Sequence, residues 1–564
     1  MDDVDAAEAL QAKNMLVSGD WITQHLNGTI YIDKAPLKYW LTASLYELLG
    51  VHDWVARLPT VIAVILLCWL VVRIGRWADS PITGLYSGLV LATSIGLFLF
   101  TRTIIPDVIL TLFITVSLWC LIRLLECVAP SLFWALGMHA SIACAVLTKG
   151  LIGLVFPVGI GVVYLLAIGR FTRADTWRRL YLVPGTLLFL AIAAPWHILA
   201  ALHNPPVFDL HLHVGPDFGG KFRGFIWFYF INEQALRFLN ERWPRDYDTV
   251  PRLLFWLYHL LWFFPWILFL PALPRLADNP AEPSVRFRRL LLSWIASVMI
   301  FFTFSTTQEY YSMPIYPALA LLLGLCISRA GNWATVATKA TGTTCVALAA
   351  LLLIILVKAW SLPTPGDIYA ALIQHPNLYT LSLGHMADLT IPAFAYLRLP
   401  LAIAFAALLS GGVAALFLSG KRAYLAIAFM LAAFFQAARL ALVVFDPYLS
   451  SFAIADRLNH LPAGLLVVCG KYNPLSSVFF YATDHGLQNE PDLDILEYGS
   501  LAPGAPKISL SDSELKRLWT SQRRIYIVAK APKMLHLDDL LDHPQRNIIF
   551  KSGDKYLLSN LESK

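Results

Sequence analysis

Charge is scarce in this chain. Only 14% of its 564 residues are Asp, Glu, Lys or Arg, while 58% are hydrophobic, against roughly 25% and 45 to 50% in an ordinary soluble protein. That composition excludes a soluble globular enzyme. Cysteine is also sparse: six of the seven (Cys68, Cys120, Cys127, Cys144, Cys326 and Cys345) fall inside apolar runs, and Cys469 alone lies in the polar C-terminal part. Neither a disulfide framework nor a zinc cluster follows from that spacing. A Walker loop, a Rossmann fingerprint and a GxSxG elbow are missing too, which disfavours nucleotide-driven chemistry. Met1 leads directly into the acidic stretch DDVDAAEALQAKNML, which has no signal-peptide pattern.

Long uncharged runs are present instead, such as LPTVIAVILLCWLVV and LIGLVFP. About twelve of them approach the ~20 apolar residues that span a bilayer. They lie near residues 58–77, 82–100, 104–125, 132–147, 151–168, 180–199, 254–272, 289–305, 313–330, 342–360, 399–419 and 423–446. The expected fold is therefore an α-helical polytopic membrane bundle. Assigning the loops alternately to two sides collects Arg73, Arg76, Arg170 to Arg179, Arg275 to Arg289, Arg329, Lys339, Lys421 and Arg422 together. By the positive-inside rule that side is cytoplasmic, so the net charge of +6 is a topology signal and not a nucleic-acid patch.

The opposite side receives residues 1–57, the turns near Arg102 and Lys149, the loop 200–252, the turn STTQEYY, the loop 361–398 and the tail from Pro447. Residues 1–57 carry Trp21, Tyr31, Tyr39, Trp40 and Tyr46 among apolar and charged positions, which suits interfacial helices capping the bundle. An outward N-terminal stretch calls for a preceding span, so the expectation is thirteen spans, the first lost to truncation or a misplaced start. After residue 446 the pattern changes. LLVVCG, SVFFYAT, RIYIVAK and NIIFK read as short strands, and Ser511 caps a helix in SDSELKRLW, giving a small α/β domain over 447–564.

Charges near a bilayer need a reason, because a central Asp, Lys or Arg costs roughly 2.5 to 3.5 kcal/mol on insertion scales. Here Asp2, Asp3, Asp5, Asp33, Lys34, Arg57, Arg102, Asp107, Lys149, Glu233 and Arg237 all fall on the outward side. The DDVD cluster offers a general base and equally fits a helix N-terminus. Lys34, Arg57 and Arg102 sit at headgroup depth, suited to a lipid phosphate or to plain snorkelling. Asp107 after Pro106 and Lys149 before Gly150 also fit helix ends. His203, His211 and His213 lack a metal-site pattern and read as a polar loop.

The acidic start, SGDW, YIDKAPLKYW, VARLP, RTIIPD, LTKG, APW, FINEQALRF, FFPW and YYSMPIYPALALLLG, in that order, resemble the lipid-carrier-dependent GT-C glycosyltransferases over roughly residues 1–450. The nearest likeness is to the aminoarabinose lipid A transferases and bacterial protein O-mannosyltransferase-like relatives. The resemblance implies inverting transfer of a sugar from a polyprenyl (undecaprenyl) phosphate carrier to a cell-envelope acceptor, at the periplasmic face of the bacterial inner membrane. It also implies roles. Asp3, then Asp5, corresponds to the base, and Asp107 to a second acidic position. Lys34 corresponds to the carrier-phosphate ligand, and Arg57, Arg102, Lys149, Arg237 and Tyr311 are donor-phosphate residues. Asp2, Asp33, Glu233 and Gln234 line the cavity, and Pro195 and Trp196 are structural. Relatives carry Glu and His, resembling a metal pair, where this chain has Asp33 and Gln234. A neutral amide is a weak ligand, so a divalent metal near Asp33 and Glu233 is an open expectation. Thr307 stands where relatives carry Lys, which leaves the acceptor open. The competing reading is a flippase of lipid-linked sugar, whose ionisable groups would lie near the midplane at broken helices. A third is an oligosaccharide ligase acting on a carrier pyrophosphate.

Overall fold

A computed structural model describes the chain apart from residues 211–220, 245–248, 277–282, 306, 376–383, 484, 491, 542–547 and 562–564. Among the described residues, eight helices are long and apolar enough to cross a membrane, or up to ten if each of two bent pairs is one span. The expected twelve thus resolve as fewer. Each apolar run does coincide with a helix, but Ile152–Ala167 is short and Pro283–Thr303 carries Arg286, Arg288 and Arg289. Two of the runs also break. Pro81–Ala92 and Ile95–Thr101 meet at 49°, and Arg252–Trp262 and Trp266–Pro274 at 102°. The second break falls at Phe263–Phe264–Pro265, where a proline removes a backbone donor. The chain is a multi-pass helical membrane protein.

The N-terminal part supplies helices α1 (Asp3–Ser18) and α2 (Leu37–Leu49), joined through a two-stranded ribbon of β1 (His25–Leu26) and β2 (Thr29–Ile30). Then follow α3 (Asp53–Ala78), α4 (Pro81–Ala92), α5 (Ile95–Thr101), α6 (Asp107–Glu126), α7 (Leu132–Lys149) and α8 (Ile152–Ala167). Helix α4 packs closely on the helix Tyr316–Arg329 because Gly324 leaves room. A Cβ there would lie 2.0 Å from Ser87 Oγ and 2.8 Å from the Ser87 amide nitrogen.

Helix α6 orders the two ends of the bundle. At 20 residues it is about 30 Å long, with Asp107 first and Glu126 last. Around its far end Arg286 pairs with Glu126 at 2.6 Å, Arg170 donates to Leu125 O at 2.9 Å and Arg179 to Cys127 O at 2.8 Å. These are cations satisfying a helix C-terminus, and they mark the arginine-rich end the sequence assigns to the cytoplasm.

The C-terminal part is a five-stranded mixed sheet of β3 (Leu465–Cys469), β4 (Leu487–Gln488), β5 (Ile525–Lys530), β6 (Ile548–Ser552) and β7 (Lys555–Ser559), in the order β4-β3-β5-β7-β6. Strand β3 runs parallel to β4 and β5, and β7 antiparallel to β5 and β6. Ser511 caps Asp512–Trp519 in a capping box with Glu514. One expected strand is largely a helix: SVFFYAT begins within the helix Ser476–Tyr481. Its apolar residues Val478, Phe479 and Phe480 are buried in the cluster that also takes in Leu10 and Met15 of α1. A short apolar run carries no period that separates strand from helix, and here tertiary packing decides.

Candidate active site

A cavity of about 560 Å³ opens among α6, α7, α8, the loop before α2, the wide-turn helix Trp227–Leu236 and the segment around Tyr310. One part of its wall is apolar, formed by Leu110, Ile152, Val155, Phe156, Phe230, Phe238, Phe301 and Phe302. The other part brings together Asp33, Lys34, Asp107, Lys149, Glu233, Gln234, Arg237 and Tyr311, all expected from the sequence as site residues. Asp2, Asp3, Asp5, Arg57 and Arg102 do not line it.

Why Asp107 and Lys149 meet follows from helix geometry. Helices α6 and α7 are consecutive and antiparallel, so the first residue of one lies beside the last of the other. Lys149 Nζ donates to both Asp107 oxygens, at 2.6 and 2.8 Å. Each charge also suits its own helix dipole. The ammonium stands 4.9 Å from the Tyr311 ring centroid and 5.4 Å from that of Tyr310, a cation held against two aromatic faces. Gly150 then turns the chain with φ +74°, and a Cβ there would lie 2.6 Å from Gln234 Nε2 and 3.0 Å from Tyr229 Oη.

A second group of charges is layered behind the cavity wall. Glu8, which nothing in the sequence singles out, projects from α1 and accepts from Lys34 Nζ at 2.6 Å, from Tyr39 Oη at 2.8 Å and from Lys38. Burial opposes the Glu8 carboxylate, but Lys34 and Lys38 outweigh it and hold its carboxyl well below the usual range. Burial likewise opposes the Lys34 ammonium, yet Asp33 and Glu8 raise it above an ordinary lysine. Asp33 Oδ2 accepts from Tyr31 Oη at 3.1 Å and lies 3.5 Å from Lys34 Nζ. Burial together with the Glu233 and Glu8 carboxylates raises Asp33 despite Lys34. Glu233 is clamped by Arg237 at 2.9 Å and by Arg242, while Arg237 Nε donates to Tyr311 Oη at 3.1 Å.

The DDVD cluster separates. Asp2 is the N-cap of α1, accepting from the Asp5 amide at 3.2 Å, and lies 3.7 Å from Arg102. Asp3 points into the C-terminal domain, where it meets Lys555 at 2.8 Å, Ser451 Oγ at 3.0 Å, the Ser477 amide at 3.1 Å and Ser477 Oγ at 2.6 Å. Asp5 pairs with Arg57 and accepts from the Ile104 amide at 2.7 Å. Burial and Asp2 push the Asp5 carboxyl up to about 6, against Arg57. Arg57 also donates to Arg102 O, and Lys38 Nζ donates to Ile104 O at 2.6 Å. Both backbone polar atoms of Ile104 are thus held by charges, three residues before Asp107. Asp3 and Asp5 go to different neighbours because residues two apart on a helix face different directions.

Elsewhere, Trp196 is buried and its indole donates to Ile22 O at 3.0 Å, and Pro195 lies within Leu182–His203. Thr307 is tied to Val250 O at 2.8 Å. His203 bonds Leu199 O at 2.8 Å; His211 and His213 lie outside the described residues. The donors do not fit a divalent metal. Glu233 is occupied by two guanidinium groups, Asp33 faces an ammonium, and Gln234 offers only an amide. Among the described residues no group of three or more His, Cys, Asp or Glu is placed to hold an ion.

Fold and site together define a class: the chain has the ArnT/PMT-like GT-C fold and is homologous to those proteins. Residues 33–199 match the family model of dolichyl-phosphate-mannose-protein mannosyltransferases. The structure superposes on the crystal structure of ArnT from Cupriavidus metallidurans bound to undecaprenyl phosphate with a TM-score of 0.76 and 20% identity, covering 99% of this chain and 94% of that one. In sequence it is 26% identical to the undecaprenyl phosphate-alpha-4-amino-4-deoxy-L-arabinose arabinosyl transferase of Erwinia tasmaniensis, over 62% of this chain and 60% of the relative. It is 25% identical to arabinosyl transferase 1 of Proteus mirabilis, over 55% of this chain and 52% of the relative. The match therefore spans little more than half the length of these curated relatives.

Proposed function

We propose that the protein is an inverting glycosyltransferase that moves a sugar from a polyprenyl phosphate to a cell-envelope acceptor at the periplasmic face of the inner membrane. In this reading residues 58–446 form the transferase bundle of twelve spans. Residues 1–57 cap it outside, the loop 200–252 lies on the same side, and 447–564 form a periplasmic domain. The observation that carries the proposal is one cavity in which an apolar groove adjoins Lys34, Lys149 and Arg237 and, among them, the Asp107 carboxylate.

Each part answers a chemical need. The groove takes the prenyl tail. The cations receive the phosphate, each worth about 4 kcal/mol at 4 Å in an effective dielectric near 20, and stabilise it further as charge develops on the leaving oxygen. The acceptor oxygen attacks the anomeric carbon as the bond from that carbon to the phosphate oxygen breaks, so polyprenyl phosphate departs with the bonding pair. A hydroxyl acceptor gives its proton to Asp107, while Lys149 aims that carboxylate through its two hydrogen bonds. Asp5 and Arg57, expected at the reacting centre, act in this reading as positioning residues through Ile104. No step needs a metal. A flippase would place its ionisable groups near the midplane, whereas these adjoin the N-terminus of α6 and the C-terminus of α7.

The test is transfer itself. The purified full chain, incubated with undecaprenyl-phosphate-linked sugars and envelope extract, is expected to release undecaprenyl phosphate and add one sugar's mass to one acceptor. Binding of the lipid without any release, under every donor tried, would contradict the enzyme reading.

A further inference from the structure

Two stretches far apart in sequence bring charge to the cavity wall. Asp33 and Lys34 follow the ribbon strand β2, while Glu233, Gln234 and Arg237 lie on, or directly follow, the wide-turn helix Trp227–Leu236. One short helix of the C-terminal domain, Glu497–Ser500, touches both stretches through adjacent residues. Tyr498, 2% exposed, stacks on Phe228 with ring centroids 4.0 Å apart and planes at 18°. Its hydroxyl donates to Gly224 O at 2.9 Å and accepts from the Arg223 amide at 3.2 Å. The same side chain is buried in one apolar cluster with Ile32 and Ala35, the residues that flank Asp33 and Lys34. Gly499 permits this seat, because a Cβ there would stand 1.9 Å from Ile30 O in β2. The ribbon turn is fastened to the same domain: Asn27 Nδ2 donates to Gly486 O at 3.0 Å, and the Gly486 amide donates to Asn27 Oδ1 at 2.9 Å.

The wide-turn helix needs such a clamp. Bonding from residue i to i+5 is rare and occurs mostly as single turns within α-helices, yet here it runs over ten residues. Contacts from outside must therefore hold it. Were the segment to rewind to i→i+4 bonding, the side chains beyond Phe228 would change bearing, and Arg237 would swing away from Tyr311 Oη and Glu233. Asn232 ties the middle of the helix to Trp243 of its own loop, at 2.6 and 2.9 Å. Tyr498 ties its start to the C-terminal domain.

We propose that Tyr498 is a positioning residue for the carrier phosphate: by seating the wide-turn helix against the ribbon, it keeps Arg237 and Lys34 at one phosphate. This rests on the cavity being a carrier-phosphate site. Tyr498 does not line the cavity, so it acts through Arg237 and not on the substrate. The C-terminal domain thereby becomes part of donor binding.

The test measures binding of undecaprenyl phosphate by the full-length protein, well below the unfolding temperature of each variant. Tyr498→Ala should weaken binding about tenfold, as for the loss of one hydrogen bond from a charged group. Tyr498→Phe, which keeps the stacked ring, should lose less. Arg237→Gln weakens binding by itself, and adding Tyr498→Ala to it should cost no more than about a further twofold, because the second change acts through the first. Leu537→Ala serves as the stability control. Leu537 is buried with Val467 and Ile527 on the sheet face turned away from α1, so its variant should unfold at a lower temperature and still bind undecaprenyl phosphate like the unaltered protein. If Tyr498→Ala gives no folded protein, Tyr498→Leu takes its place with the same expectations. Unchanged affinity on replacing Tyr498, an equal loss with and without Arg237→Gln, or the same loss in Leu537→Ala would each overturn the proposal. Failure of the unaltered protein to bind undecaprenyl phosphate would instead defeat the carrier reading, and this inference with it.

Discussion

Asp3 and Lys555, 552 positions apart, form a 2.8 Å ion pair with both side chains almost wholly buried. Strand β7 is thereby tied to the first turn of α1, and Ser451 and Ser477 complete the shell of donors around the carboxylate. Removing one partner strands a buried charge, typically at a cost of 3 to 5 kcal/mol, while removing both costs less. Lys555→Met and Asp3→Asn should each lower the unfolding temperature by several degrees, and the double variant should lie above the sum of the two losses. Thermal unfolding in detergent measures this; strictly additive losses would show that the two side chains are not coupled.

At the reacting centre the expectation is kinetic. Asp107→Asn keeps the shape but cannot take a proton, so kcat should fall by roughly 10² to 10⁴ while undecaprenyl phosphate binding changes by no more than a few fold. Lys149→Met should instead raise the KM for the donor. Steady-state transfer assays separate the two, and an Asp107→Asn protein with unaltered kcat would move the proton acceptor to another carboxylate.

Asp5 gives a pH signature. Its carboxyl is raised from an ordinary value of 3.8 to about 6, so the folded state favours the protonated form. The contribution to stability is fully present below about pH 4 and is lost as pH rises through 6, at a rate of about 1.4 kcal/mol per pH unit across that interval. Asp5→Asn should flatten that part of the profile. Unfolding temperatures from pH 4 to 8 check it, and an identical slope in the variant would assign the change to another group.

Much of this was legible. Among the described residues, apolar runs located the helices long enough to span, because a bilayer demands length and low charge, but they suggested twelve where eight to ten qualify. Asp33, Lys34, Asp107, Lys149, Glu233 and Arg237 stood out because charges beside such runs are costly, and the alternation of loops put them on one side. Asp3 and Asp5 looked like one site through sequence proximity, although a spacing of two turns them to different neighbours on a helix. SVFFYAT hid its helix since so short a run carries no usable period. Glu8, Lys38 and Arg242 escaped for another reason. Each resembles a solvated charge of an amphipathic segment, and only the folded arrangement brings Glu8 against Lys34 and Lys38, or Arg242 against Glu233. A hint did exist: Lys34 and Lys38 are four residues apart, a spacing that on a helix would put both on one face.

Glu8 is therefore the residue whose removal tests the layer behind the cavity. Lys38 is 1% exposed, and burial depresses its ammonium even against the pull of Glu8. Replacing Glu8 by Gln leaves Lys34 and Lys38 facing each other with one carboxylate fewer, so stability should drop by several kcal/mol and the donor KM should rise as Lys34 loses its anchor. Because the Glu8 carboxyl is held below its ordinary value of 4.5, its stabilising contribution is complete above that pH. It is lost as acid protonates the folded form, and Glu8→Gln should be less acid-sensitive. Glu8→Gln combined with Lys38→Met should recover part of the stability by removing the stranded ammonium. Urea unfolding of the three variants at pH 4 and 7 measures each contribution; no recovery in the double variant would mean that Lys38 is held mainly by the Ile104 carbonyl.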